Sequence, residues 1–158
     1  MVRWSTTEER KKARMELRFE QGNFADARIV RTRVFMKEQG FQDEFDATDD
    51  DPRTIHVTLY EDDALVGCAR IFPDPDHTDE PGRWVFGRLA VLPEARHGGY
   101  GGKLLAESER LAREAGATEV HLHAQCYVTP FYERTGYERY GAVELDEHVE
   151  HIWMKKTL

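Results

Sequence analysis

The segment that most restricts the fold of this chain is a glycine-rich stretch between a predicted strand and a predicted helix. Residues 96–105 read Arg-His-Gly-Gly-Tyr-Gly-Gly-Lys-Leu-Leu, and the apolar run of residues 84–93 precedes them. Glycines let the backbone approach a ligand closely and leave several N–H groups pointing outward. The N-terminus of the following helix favours negative charge. This arrangement therefore predicts a site for a phosphate-bearing ligand.

Two common phosphate loops do not fit this segment. Counting back from Gly102-Lys103, the first glycine of a Walker A loop would stand at His97, and Leu104 lacks the required hydroxyl. The dinucleotide fingerprint also fails, because its third glycine would stand at Leu104. A flexible turn that caps a helix is the alternative interpretation, since glycine-rich turns are common.

Length, composition and charge narrow the class of protein. The chain has 158 residues, which fits a single domain spanning 1–158. Its formal net charge of −8 argues against nucleic-acid binding, which needs basic patches. No apolar run approaches the roughly 18 residues that cross a membrane, and the N-terminus lacks the apolar core of a secretory signal. The two cysteines make no disulfide framework, which is typical of a reducing compartment, so we expect a cytoplasmic protein. Because no apolar run could cross a membrane, we expect no membrane partner.

Hydrophobic periodicity predicts a mixture of helices and strands. Leu17 and Phe19 alternate with charged residues, as in a half-buried strand, whereas Ala27, Val30 and Val34 recur at helical spacing. The order of elements predicts one central sheet with helices on both faces. The predicted strands span residues 14–21, 54–60, 64–72, 84–92, 119–125, 137–145 and 149–156, and the predicted helices span 24–39, 100–115 and 130–135.

Several segments together carry a family resemblance. Residues 89–105 contain the glycine-rich stretch, and residues 129–137 read Thr-Pro-Phe-Tyr-Glu-Arg-Thr-Gly-Tyr. Other features are Arg-Val-Phe-Met-Lys-Glu-Gln at residues 33–39, the acidic run of residues 43–51, and Glu-His-Ile-Trp-Met at 150–154. The chain resembles the GNAT superfamily of acyl-CoA-dependent N-acyltransferases, and within it the ElaA-type branch. That resemblance implies an α+β, mixed α/β fold with a mostly antiparallel mixed sheet of about seven strands, splayed near the cofactor.

The resemblance also implies that acetyl-CoA is the acyl donor. The glycine-rich amides suit its pyrophosphate, Arg96 can add charge-assisted contacts, and residues 89–91 can pair with its amide arm as an extra strand would. Tyr132 matches the family's usual proton donor to the departing thiolate, although a core aromatic beside Phe131 is the alternative. The expected cofactor-binding residues are Leu89, Ala90, Val91, Arg96, His97, Gly98, Gly99, Tyr100, Gly101 and Gly102.

The acyl acceptor is expected to be a primary amine, on a small molecule or a peptide, that attacks the thioester directly. The resemblance favours Glu38, Gln125 and His151 as pocket residues. An acidic loop at residues 43–51 would attract a cationic amine, or would serve only to keep the protein soluble. The expected acceptor-binding residues are Glu38, Asp46, Gln125 and His151, and the expected catalytic residues are Tyr132, Glu38 and His151.

The identity of the general base stays open at this stage. His121 and His123 share one face of their predicted strand, and His56 is a further candidate because histidine titrates near neutral pH. A structural role is the alternative for each.

Two rival functions also stay open. His121, His123 and Cys126 have plausible metal-ligand types, but no fourth ligand is evident, so no metal is expected. A non-catalytic acyl-CoA sensor could use the same fold, since fold alone does not give activity. The protein could be a monomer or a homodimer.

Overall fold

Seven strands form one continuous sheet in this chain. The computed structural model describes residues 16–158, so positions 14 and 15 of the predicted first strand lie outside the described residues. The strands are β1 (Leu17–Gln21), β2 (Ile55–Glu61), β3 (Ala64–Pro73), β4 (Arg83–Val91), β5 (Glu119–Gln125), β6 (Glu138–Asp146) and β7 (Val149–Thr157). Their order across the sheet is β1-β2-β3-β4-β5-β7-β6. Only the β4–β5 pair is parallel, which confirms the expected mostly antiparallel mixed sheet.

Three α-helices accompany the sheet. They are α1 (Phe24–Arg31), α2 (Tyr100–Glu114) and α3 (Thr129–Arg134). Asn23 caps α1, because its side chain accepts a hydrogen bond from the Asp26 backbone N–H at 3.0 Å. The predicted helix 24–39 is α-helical only as far as Arg31. The chain then continues as a π-helical segment, Thr32–Glu38. No helix within residues 16–158 is long and apolar enough to cross a membrane.

Two hydrophobic clusters hold the helices on opposite faces of the sheet. Beneath α2, Leu104 and Leu105 pack with strand residues that include Leu59 and Phe86. Beneath α1, Val30 packs with other apolar residues, namely Ala27, Val34, Phe35, Phe41, Cys68, Ala90 and Leu92. Burying each large aliphatic side chain contributes about 1.5–3 kcal/mol, so both helices are fixed against the strands between them.

The sheet opens between β4 and β5. Their parallel pairing runs from Arg83↔Glu119 to Phe86↔Leu122 and stops there. At the same point β4 carries a bulge, since Gly87 pairs with Arg70 but Ala90 pairs with Cys68. Arg88, inside the bulge, has a φ of 54°, which is unusual for a residue with a Cβ. The bulge and the divergence of the strands produce the splay that the family resemblance predicted.

Candidate active site

A cavity of about 640 Å³ occupies the splay. Four consecutive residues of β5 line it, so the cavity meets both faces of the sheet: Leu122 and Ala124 from one face, His123 and Gln125 from the other. Its other walls come from β4, from the glycine-rich loop and from α3. Mostly apolar cavities of this size with a few converging polar groups are typical of small-molecule sites.

The glycine-rich loop forms one end of this cavity. Gly99 caps α2 in the left-handed region, at a φ of 68°, and Gly101 and Gly102 begin the helix. A Cβ at Gly98 would overlap the Tyr100 ring, so this position has no room for a side chain. A Cβ at Gly102 would meet no atom within 4 Å, so the space above the first turn of α2 is open. The unpaired first-turn N–H groups therefore face free space, as an anion site requires.

The bulged part of β4 forms the neighbouring wall. Leu89 and Val91 line the cavity, whereas Ala90 points into the cluster beneath α1 and is 4% exposed. Beyond Phe86 this edge of β4 makes no pair with β5. A strand edge without a partner can accept an extended amide chain, which is the geometry that β-augmentation uses.

Arg96 lies beside the loop but its guanidinium is already engaged. Its Nε donates to the Val91 carbonyl at 3.1 Å, and Nη1 and Nη2 both donate to the Glu38 carboxylate, the first at 2.9 Å. The hydrogen bond from Arg96 lowers the pKa of Glu38. Arg96 lines the cavity and Glu38 does not, so Glu38 acts on the site through Arg96. His97 is exposed and also lies outside the cavity lining.

Tyr132 lies on α3 and lines the cavity. It is 8% exposed, and its ring packs edge-to-face against Phe131, Phe86 and Tyr137. Among residues 16–158 the Tyr132 hydroxyl has no hydrogen-bond partner. Its oxygen is still reached by solvent, because it is not among the fully enclosed polar atoms that lack a partner. Burial raises the pKa of Tyr132, so the phenol keeps its proton at neutral pH.

The part of the cavity on the His123 and Gln125 face of the sheet carries a group of polar side chains. Gln125 donates from Nε2 to the Gln39 side-chain oxygen at 2.8 Å. His151, 6% exposed, has its Nδ1 2.9 Å from the Val149 carbonyl. A carbonyl only accepts, so Nδ1 must carry a proton, and in the neutral ring Nε2 is then the nitrogen with the lone pair.

His123 stands next to His151 on the same face. Its ring is stacked on Trp153 with centroids 4.8 Å apart, and lies 5.0 Å from the His151 ring. Burial, together with the neighbouring His151, lowers the pKa of His123, despite the opposing influence of Glu144 and Asp146. His123 is therefore neutral at physiological pH.

Comparison with known proteins decides the family. The sequence model of the acetyltransferase (GNAT) family matches residues 18–137 of this chain. The chain belongs to the GNAT family. It is an acyltransferase, and the matched range includes the glycine-rich loop, the bulged strand β4 and Tyr132.

Individual relatives agree with this family. A Bacillus subtilis protein named as the uncharacterized N-acetyltransferase YjcF is 31% identical over 132 residues, 83% of this chain and 90% of its own. The crystal structure of Escherichia coli ElaA superposes with a TM-score of 0.78 at 22% identity, covering 89% of this chain and 99% of ElaA. An acyl-CoA N-acyltransferase from Pseudomonas aeruginosa superposes with a TM-score of 0.76 at 25% identity, covering 91% and 100%.

Two acids of the acidic loop, Asp46 and Asp49, are paired with arginines. Asp46 lies outside the cavity lining and binds Arg70 at 2.7 Å. Asp49, whose side chain is 2% exposed, binds Arg31 at 2.6 Å. Asp46, whose side chain is 41% exposed, thus lies at the outer end of a network of alternating charges whose inner members are buried. We call this network the ion cluster; its members are Arg31, Glu44, Asp46, Asp49, Arg70 and Arg88.

The remaining histidine candidates lie away from the cavity. His56 contacts the Asp49 carbonyl through Nε2 at 3.0 Å. Both ring nitrogens of His121 are engaged, with Tyr140 and Glu119 at 2.6 Å each. Within residues 16–158 no group of three or more His, Cys, Asp or Glu side chains could hold a metal ion, so His121, His123 and Cys126 do not form such a group.

Sequence reasoning missed several residues that line the cavity of this GNAT protein. Arg88 and Phe41 belong to no recognised motif. Gln39 belongs to the segment 33–39 that resembles the ElaA-type branch, but no sequence pattern assigns it a role of its own. Asp43, Asp146 and Glu147 also line the cavity, and the last of these accepts hydrogen bonds from the Gln42 and Asp43 backbone N–H groups. Only the bend of the chain at residues 146–148 brings this acidic rim to the site.

Proposed function

We propose that this GNAT acyltransferase transfers an acetyl group from acetyl-CoA to a primary amine by direct attack, within one domain formed by residues 1–158. The observation that carries the proposal is the continuity of the cavity. It extends from the loop of Gly99–Gly102, past the Tyr132 wall, to His123, Gln125 and His151 on the other face of the sheet. Donor and acceptor could therefore meet at the splay from opposite sides.

The donor end suits a pyrophosphate followed by an extended amide arm. The first-turn N–H groups of α2 supply donors for the pyrophosphate, and Arg96 supplies positive charge. The free edge of β4 at Leu89 and Val91 suits the amide arm. Backbone N–H groups at the same edge would lie near the thioester carbonyl, where negative charge develops during attack.

The acceptor end suits an amine that arrives protonated. His151 Nε2 accepts one proton from the ammonium, which frees the nitrogen lone pair for attack on the acyl carbon. As the new C–N bond forms and the C–S bond breaks, the Tyr132 hydroxyl gives its proton to the thiolate. The second proton lost by the nitrogen restores the phenol. The acidic rim of Asp43, Asp146 and Glu147 favours a cationic acceptor.

The direct test is a thiol-release assay with acetyl-CoA against a panel of primary amines. Turnover of one or more amines, with an acetylated product seen by mass spectrometry, would support the proposal. Tight binding of acetyl-CoA without turnover on any amine would instead favour the non-catalytic sensor.

Tyr132→Phe tests the proton donor. The substitution removes only the hydroxyl, so the fold and acetyl-CoA affinity should persist while kcat falls about 10- to 100-fold, at or below the low end of general-acid effects because a thiolate leaves readily. Tyr127→Phe, which alters an exposed tyrosine at the cavity edge, is the matched control. A Tyr132→Phe variant with the parent's kcat under chemistry-limited conditions would leave this tyrosine as core packing.

His151→Gln tests the base. The glutamine keeps a hydrogen-bonding group but cannot take up a proton, so kcat/KM for the amine should fall about 100-fold while acetyl-CoA affinity is unchanged. His77→Gln, on the loop between β3 and β4, is the matched control because its partner is Asp74 at 3.0 Å, away from the cavity. Equal activity of the parent and the His151 variant would exclude the role.

A further inference from the structure

Two paired ion bridges join the π-helical segment to the turn before the glycine-rich loop. Arg33 donates to Glu94 through both terminal nitrogens, at 2.9 and 3.0 Å. Glu38 accepts from Arg96 in the same two-pronged manner. The positions of acid and base are exchanged between the two bridges. Glu38 lies on the π-helical segment, whereas Glu94 lies on the turn.

Only the second bridge involves the candidate active site. Arg96 lines the cavity together with Gly99–Gly102, whereas Arg33 and Glu94 do not. Since Arg96 Nε is fixed on the Val91 carbonyl, its terminal nitrogens are the donors left for a ligand. In this structure the Glu38 carboxylate holds both of them.

We propose that Glu38 occupies the anion site of Arg96 in the free protein and that the donor's pyrophosphate displaces it. Glu38 is thus an exchangeable competitor that sets how tightly the donor and the coenzyme A product are held. The inference rests on the proposed function only in taking acetyl-CoA to bind at the glycine-rich loop.

Exposure makes the exchange feasible. The side chains of Arg96 and Glu38 are 41% and 37% exposed, so water and salt screen their attraction. Exposed ion pairs typically contribute about 0.2–1 kcal/mol. A pyrophosphate carries more charge than a carboxylate and also gains the N–H groups of α2, so it should win Arg96. Two anions on one guanidinium would repel each other, which drives Glu38 off.

The test is calorimetric titration of coenzyme A into the parent protein, Glu38→Gln and Glu94→Gln. Removing the competitor should tighten coenzyme A binding about two- to fivefold, the ratio that corresponds to losing an exposed pair. Glu94→Gln breaks the neighbouring bridge, which has the same two-pronged geometry but no contact with the cavity. The charge of Glu94 acts on Arg96 only at a distance, so this variant should change the affinity much less than Glu38→Gln does. Thermal unfolding of each variant checks that the fold is intact.

A second measurement separates competition from a general change of the site. Acetyl-pantetheine has the same thioester arm but no pyrophosphate, so the Kd of this ligand, measured by calorimetric titration, should be equal in the parent and in Glu38→Gln. The gain with coenzyme A should also vanish when Arg96→Ala is added to Glu38→Gln.

Two results of the coenzyme A titration would contradict the inference. Weaker coenzyme A binding by Glu38→Gln would mean that Glu38 orients Arg96 and does not compete. Unchanged binding would mean that Glu38 and the pyrophosphate do not compete for Arg96. Either result overturns the inference. Failure of the parent and of both variants to bind coenzyme A would overturn the proposed function itself.

Discussion

The Gly101→Val, Gly102→Val double variant should fold like the parent but fail to bind acetyl-CoA. A Cβ at Gly101 would stand 3.7 Å from the Phe131 ring, an ordinary contact, and a Cβ at Gly102 would meet nothing within 4 Å. The free protein therefore accommodates a Cβ at both positions without a clash. In the complex they would occupy the path of the pyrophosphate and block the first-turn N–H groups of α2. Calorimetric titration with acetyl-CoA measures the loss.

The corresponding double alanine variant provides a sharper comparison. Alanine in place of glycine within a helix typically adds about 0.5–1 kcal/mol per site to stability. We expect it to raise the midpoint of thermal unfolding while weakening acetyl-CoA binding less than valine does. Opposite movements of stability and affinity would tie the effect to the ligand path. Undiminished binding by the valine variant would place the cofactor elsewhere.

Asp49→Asn should strongly destabilise the fold. Asp49 binds both Arg31 and Arg70, which are 1% and 5% exposed, and asparagine would leave these buried guanidinium groups short of negative charge. Removing one partner from a buried ion pair typically costs about 3–5 kcal/mol. Urea unfolding measures the change. Asp50→Asn, at an exposed neighbouring position, is the matched control and should alter the free energy of unfolding by less than about 0.5 kcal/mol.

The ion cluster also predicts a dependence of stability on acid. Burial alone would raise the pKa of Asp49, but hydrogen bonds from Arg31 and the Asp46 N–H, with the charges of Arg31 and Arg70, lower it to about 2. A carboxyl whose folded pKa lies below its unfolded value stabilises the protein above the unfolded pKa, near 4. That contribution, on the order of 2 kcal/mol, is lost as the pH falls from about 4 to about 2. Asp49→Asn should lack this part of the acid dependence; an identical profile would contradict the assignment.

The fold was largely predictable because its signals are local. The glycine-rich turn fixes where β4 ends and α2 begins, and alternation of apolar residues locates the strands. Arg31 could not be predicted as a core residue, because periodicity assigns an arginine to the solvent side of a helix. Its burial depends on Glu44 and Asp49, which contact it only in the folded chain.

The candidate site was predictable where it lies within one motif and not where it depends on distant contacts. The sequence pointed to Arg96 and to Glu38 separately, for different ends of the site. It could not indicate that the two bind each other, because they are 58 residues apart. Likewise, no local pattern predicted the bulge at Arg88, which depends on how β4 pairs with β3.

The π-helical segment links the donor end and the acceptor end of this site. A π turn is the mark of one extra residue accommodated inside a helix, and such turns are frequent at functional sites. An α-helix rotates about 100° per residue, so one extra residue wound regularly would turn everything after it to another face. The wider turns of Thr32–Glu38 absorb such a residue locally, which keeps the chain that follows in place. Glu38 contacts Arg96 and Gln39 contacts Gln125 from the end of this segment, so a return to α winding with the same number of residues would break the contact at the donor end and the contact at the acceptor end together.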